Sequence, residues 1–235
     1  GGIGKTTLAR LVFNDTHFKE YDHRVWVYVS QVLDLKKIGN FIISEVSKQE
    51  SHDLNVLESI YQRLKELLNG QKCLIVLDDL WEEKDTELGK LKTMLNVGKA
   101  GSKIDVIVTT RKEEIAKKIR TGESYDLKPL DDTMCWSIIK KRCHFESRTD
   151  NKEQLEQIGL DIANKCAGIA LAAQALGYML SGMNLEEWSK MKENYIWSLS
   201  KPEDTSLPLP SLMLSYESMP SNLKLCFAYC ALFPE

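Results

Sequence analysis

The sequence predicts an α/β fold: a parallel sheet flanked by helices, followed by a helical bundle and the opening of a further unit. Three observations predict it. Strand-like and helix-like segments alternate through the first half of the chain, as they do where crossover helices join parallel strands. The chain opens on a glycine-rich stretch, Gly1-Gly2-Ile3-Gly4-Lys5-Thr6-Thr7, with a helix expected from about Lys5. After about Gly122 the strand signals stop and apolar residues recur at helical spacing instead.

Each element follows from its residues. Arg24–Val29 is β-branched and aromatic, hence a strand. Leu35, Ile38, Ile42 and Val46 recur at helical spacing, and so do Leu57, Ile60, Leu64 and Leu68. Cys73–Leu77 is a continuous apolar run ending abruptly in Asp78-Asp79, the pattern of a central parallel strand buried on both faces. A helix is expected over about Thr86–Leu95 and a strand over Ile104–Thr109. Such a sheet is doubly wound and takes its ligand at the carboxyl ends of its strands. A short extended piece, Tyr125–Leu127, leads through Pro129 to a helix start at Asp131-Asp132. Helices follow near 132–145, 151–166, 168–181 and 185–194, punctuated by Gly168, Gly177 and Gly182. Lys201–Pro210 holds three prolines and reads as a linker, and Leu212–Glu235 as the unfinished start of a third unit.

Bulk composition narrows the function classes. The 235 residues are 43% hydrophobic and 28% charged, ordinary for a globular chain able to bury a core. Lys and Arg number 31 against 34 acids, a net charge of −3, so the basic footprint of a nucleic-acid binder is absent and no such partner is expected. The six cysteines are scattered through apolar or helical contexts and form no disulfide framework, which points to a reducing, cytoplasmic setting. No apolar run approaches membrane-spanning length.

The opening stretch is most of a phosphate-binding loop. Such a loop reads Gly, four residues, then Gly-Lys-[Ser/Thr]; Gly4-Lys5-Thr6 supplies the ending, and the first glycine would lie before residue 1. The chain is therefore expected to be a fragment beginning inside its own site. Glycines let successive backbone N–H groups converge on one anion. Lys5 would carry charge to the β- and γ-phosphates, and the Thr6 hydroxyl could ligate Mg²⁺. An acid at the end of a buried strand is where a phosphate-loop protein holds its metal, which assigns Asp78 to Mg²⁺ and leaves Asp79 to orient or deprotonate a water. Taken alone, Asp-Asp would be turn residues ending a strand; the glycine loop makes the metal reading the stronger. Arg111, after Val108-Thr109-Thr110, could sense a γ-phosphate or simply end a strand on a solvated face.

Other chemistry finds no support. His17, His23, His52 and His144 do not cluster. Cys226 and Cys230 stand one helical turn apart without further zinc ligands, so core packing is their expected fate. Trp81, Trp136, Trp188 and Trp197 read as packing anchors.

Taken in order, the motifs resemble the NB-ARC family, the nucleotide-binding module of plant disease-resistance receptors, over essentially the whole chain. Gly1–Thr7 is similar to its phosphate loop, Phe18–Gln31 to its next block, Leu74–Trp81 to its acidic strand and Gly101–Arg111 to its sensor strand. Cys166–Gly177 falls at its Gly-Leu-Pro-Leu block, and Leu214–Glu235 resembles the start of its winged-helix subdomain. Trp81 after the two acids resembles the subclass with a coiled-coil head. The resemblance implies a phosphate-loop NTPase subdomain over 1–122, a helical ARC subdomain over 123–200, and a linker with a truncated winged-helix subdomain over 201–235. It implies nucleotide contacts from Gly1, Gly2, Ile3, Gly4, Lys5, Thr6, Thr7, Arg111, Ala170 and Leu171, with ATP or ADP and Mg²⁺ as cofactors. Two departures stand out: Gly168-Ile169-Ala170-Leu171 has Ala170 where the family has proline, and the family's Met-His-Asp block would lie beyond Glu235.

The implied function is an ADP/ATP switch with slow hydrolysis in pathogen defence. It would be joined to a signalling head and leucine-rich repeats elsewhere in its parent chain and form a homo-oligomer when activated. Two alternatives stay open at this point. One is a metabolic nucleotide or small-molecule kinase, for which Lys112–Arg120 is the only basic stretch that could serve as a lid. The other is an interaction fragment without turnover.

Overall fold

The computed structural model describes residues 1–29, 31–48, 54–98, 101–198 and 210–233. They form two compact units. One spans Lys5–Asp126; the other comprises Gly1–Gly4 and the described part of Leu127–Pro234.

The first unit is built on three parallel strands, β1 (His23–Tyr28), β2 (Lys72–Asp78) and β3 (Lys103–Val108), in the order β1-β2-β3. Tyr28 stands opposite Asp78, and Leu77 opposite Val108, so the three carboxyl ends lie level. β2 is central and buried from Cys73 onward, which accounts for its unbroken apolar run. The parallel sheet expected from the sequence is borne out. Its helices are α1 (Lys5–Phe13), α2 (Leu35–Ser47), α3 (Leu57–Leu67), α4 (Asp85–Leu95) and α5 (Glu113–Ile119).

The helical periodicity fills the core: Ile42, Ile60, Leu64 and Leu91 pack with Ile75 and Leu77 of β2. Asp34 starts α2 by accepting hydrogen bonds from the N–H groups of Lys36 and Lys37, satisfying two donors of the first turn. α2 and α3 approach closely at Gly39, where a Cβ would fall 2.3 Å from Ile60 Cγ2. α5 buries Ile115 and leaves its basic residues outside, as expected of a solvated face.

The second unit is helical: α6 (Asp132–Arg142), α7 (Lys152–Asn164), α8 (Ala170–Leu180), α9 (Leu185–Lys192), α10 (Pro210–Glu217) and α11 (Ser221–Cys230). Asp131 caps α6, accepting from Met134 N at 2.7 Å, and a reciprocal Asn184–Glu187 capping box starts α9. Trp136, Phe145 and Trp188 anchor the core, with Trp136 meeting Phe145 edge-on at 5.2 Å between centroids. The Arg148 guanidinium donates to the carbonyls of Leu180, Ser181 and Met183 while lying over Trp188, closing the end of α8. α10 places Leu214 in the same core.

Several expectations need correcting. Gly177 does not punctuate a helix but lies inside α8, because α6 crosses there: a Cβ would stand 2.6 Å from Arg142 Cβ. Cys226 and Cys230 are exposed rather than packed, since α11 buries none of its residues. Residues 125–127 form no strand. His52, Ser30 and the linker residues 201–209 lie outside the described residues, while Pro210 opens α10.

Candidate functional site

The level carboxyl ends of β2 and β3 set up the site. Backbone pairing continues one residue past β3, where Thr109 N–H donates to Leu77 O at 3.0 Å and Leu80 N–H donates to Thr109 O at 2.8 Å. This fixes Thr109 beside the end of β2. Its hydroxyl donates to Asp78 Oδ1 at 2.6 Å and accepts from Asp79 N–H at 2.9 Å. Asp78 is only 2% exposed, so a carboxylate there must be hydrogen-bonded to be tolerated.

A second hydroxyl completes the arrangement. α1 begins at Lys5, and the Thr6 hydroxyl donates to the same Asp78 Oδ1 at 3.0 Å. Asp78 Oδ2 has no hydrogen bond among the described residues. Lys5 is half-buried at the first helical position, where the helix dipole adds positive potential to its ammonium; Thr7, beyond Thr6, is exposed. Thr6 and Asp78, expected from sequence to work together, are therefore brought into contact.

The residues preceding α1 adopt a backbone that glycine permits. Gly2 and Gly4 have φ of +72° and +113°, a region that L side chains avoid. Gly4 has open space where a Cβ would be, so its requirement is conformational, whereas a Cβ on Gly2 would also meet Leu171 Cβ at 2.9 Å. Gly1 and Gly2 are exposed and Ile3 is half-buried. Ala170 is the first residue of α8, a position at which proline would be tolerated as well, and Leu171 N–H donates to Gly2 O at 3.0 Å.

Asp79 and Arg111 also meet. Asp79 sits in the left-handed region at φ +63°, which aspartate tolerates better than most residues. Its carboxylate takes a two-pronged hydrogen bond from Arg111, Nε to Oδ1 at 3.3 Å and a terminal nitrogen to Oδ2 at 3.2 Å. The guanidinium lies over the half-buried Trp81 ring at 4.6 Å. Trp81 is thus a platform for a cation more than a core anchor.

Sequence context gives Thr109 no defined role and Trp81 only that of a packing anchor. The signal for Thr109 was present: a hydroxyl at the end of a strand, beside one that ends in an acid. Trp81 left no such trace, because a stacked guanidinium requires knowing which strands are neighbours.

The basic stretch considered as a kinase lid is otherwise engaged. Lys112 bonds Glu83, holding that carboxyl below its usual range, while Lys117 pairs with Glu113 at 2.7 Å and Lys118 with Asp85 at 2.9 Å. Among the described residues no group of three or more His, Cys, Asp or Glu side chains gathers to hold a metal, and no helix is long and apolar enough to cross a membrane.

A parallel sheet, a glycine stretch running into a helix, and that helix's threonine bonded to a strand-end aspartate define an α/β phosphate-loop NTPase domain. The NB-ARC domain family model matches residues 1–149, and the chain belongs to that family. The resemblance read from the ordered motifs is borne out. The chain is 38% identical over its whole length to the disease resistance protein RGA2 of Solanum bulbocastanum. It is 34% and 31% identical, again over its whole length, to disease resistance RPP8-like protein 3 and RPP13-like protein 4 of Arabidopsis thaliana. It spans 24%, 26% and 28% of those relatives, respectively, so each of them has further domains.

Proposed function

We propose that this chain is the ADP/ATP-binding switch module of a cytoplasmic plant immune receptor that acts in defence against pathogens and hydrolyses ATP slowly. The observation that carries the nucleotide reading is the Thr6 hydroxyl standing 3.0 Å from the buried carboxylate of Asp78, at the start of a helix headed by Lys5. Family membership and the names of the relatives support the setting in immunity.

In this reading the phosphates bind at the positive end of α1, with Lys5 on the β- and γ-phosphates and Thr6 and Asp78 toward the metal. An oxygen-only pair, one hydroxyl and one carboxylate whose second oxygen has no hydrogen bond among the described residues, suits Mg²⁺, a hard cation that keeps several waters. Mg²⁺ would neutralise phosphate charge when bound. Asp79 orients the attacking water, and Arg111 reports the γ-phosphate. Slow turnover accords with an Asp79 already engaged by Arg111. The remaining domains of the parent protein would convert nucleotide state into oligomerisation.

The test is calorimetric titration of ADP with Mg²⁺ into the full-length protein and its Lys5→Ala variant. Loss of binding in the variant is expected, because the phosphates lose their main cation; undiminished binding refutes the assignment. Phosphate transfer to an added small-molecule acceptor would favour a kinase instead.

A further inference from the structure

We propose that Trp81 is a positioning residue that holds Arg111 on Asp79 until a nucleoside triphosphate competes for the guanidinium. The inference rests on the nucleotide reading above and concerns regulation of that same site.

The Asp79 and Arg111 side chains are 36% and 47% exposed. A pair so open to water is weak and would sample many geometries unaided. Here it is instead two-pronged, with the flat guanidinium 4.6 Å from the Trp81 ring centroid. Stacking and the fork both restrict the same planar group, so the ring selects the paired state from the alternatives open to a long side chain.

The backbone delivers both partners. Leu80 is buried and its N–H is bonded to Thr109 O, which pins the segment carrying Asp79 and Trp81 to the end of β3. Arg111 lies two residues past Thr109, and so emerges beside the ring.

The consequence is a withheld arginine. While the fork is closed, the Arg111 donors facing Asp79 are unavailable to a phosphate, and one acceptor site on each Asp79 oxygen is occupied. A γ-phosphate offers more negative charge than one carboxylate and can draw the guanidinium away. A diphosphate, lacking that group, leaves the fork closed. Trp81 therefore sets how strongly the site distinguishes triphosphate from diphosphate. A ligand shifts such an equilibrium only through its different affinity for the two states, which is the quantity the ring controls.

The experiment compares ATP and ADP affinities of the full-length protein in four forms: wild type, W81A, W81F, and W81A combined with R111A. W81A is expected to raise the preference for ATP over ADP about fivefold, the size of a modest cation–π contact. W81F, which keeps an aromatic face, stays within about twofold of wild type, and R111A cancels the gain. Equal weakening of both nucleotides by W81A, or an unchanged preference, overturns the proposal.

A nucleotide-free measurement runs in parallel. The Arg111 Nε–H resonance is expected to exchange slowly in wild type and W81F and rapidly in W81A; persistence of slow exchange in W81A overturns the clamp. Wild-type protein that binds neither nucleotide overturns the underlying reading, and the competition with it. The resonance shows in that case whether the ring restrains the arginine.

Discussion

Thr109 and Asp78 share a 2.6 Å hydrogen bond that ties the residue just past β3 to the last residue of β2. The same hydroxyl also accepts from Asp79 N–H, so one oxygen fixes both acids. Thr109→Val keeps the shape but leaves a part-buried N–H and a buried carboxylate short of a partner. The expected cost is about 1–3 kcal/mol of stability, read by urea denaturation, with Thr109→Ser losing much less. A Val variant as stable as wild type would show that water replaces the hydroxyl.

Asp79→Asn separates chemistry from binding. The amide fits the same space but cannot deprotonate a water. ATP hydrolysis in single-turnover assays is expected to fall on the order of 100-fold, while ADP affinity stays within about twofold. Equal loss of both would make Asp79 a structural residue.

Gly159→Ala tests the packing of the helical unit. A Cβ at that position would lie 2.3 Å from the Trp136 ring, itself buried beside Phe145 and Trp188. The ring cannot retreat without moving its neighbours, so a loss of about 1–3 kcal/mol is expected in thermal or denaturant unfolding. Gly182→Ala meets open space and serves as the control.

Cysteine chemistry should divide the six thiols. Cys73 is pushed from 9.0 to about 12 by burial and then by the Asp22 carboxylate, and Cys166 from 9.0 to about 12 by burial and then by the neighbouring Cys135 thiol. In the native protein these groups keep their protons after the unfolded chain has lost them. The unfolded state therefore binds fewer protons above pH 9.0, and stability falls as pH rises from there toward 12. The expected slope is about 1.4 kcal/mol per pH unit for each thiol. Cys226 and Cys230, both exposed, should be alkylated first by iodoacetamide at neutral pH, which peptide mass mapping reads directly.

Much of this fold and part of this site were legible in the residues. The run Cys73–Leu77 ending in two acids forms the central strand because continuous apolarity fits only a strand covered on both faces. Thr6 and Asp78 were identified together, and they touch, because a phosphate loop and an acidic strand are each read locally. What escaped depended on partners distant in the chain. Gly177 looked like a helix end, since glycine is poor in helices, but close approach by α6 outweighs that preference. Cys226 and Cys230 sit among apolar residues, and apolar surroundings in sequence did not place them in a core. Thr109 and Trp81 gained their contacts only when β3 came to lie beside β2.

The left-handed backbone at Asp79 also shapes which spontaneous changes this position can survive. One-base changes to an aspartate codon yield Asn, Gly and His, whose side chains accept such torsions, and also Val, Ala, Tyr and Glu, which fit them poorly. Inherited variation there should thus sort by backbone compatibility before charge. Alleles encoding valine would lose folded protein, whereas those encoding asparagine or glycine would accumulate intact protein that lacks the acid.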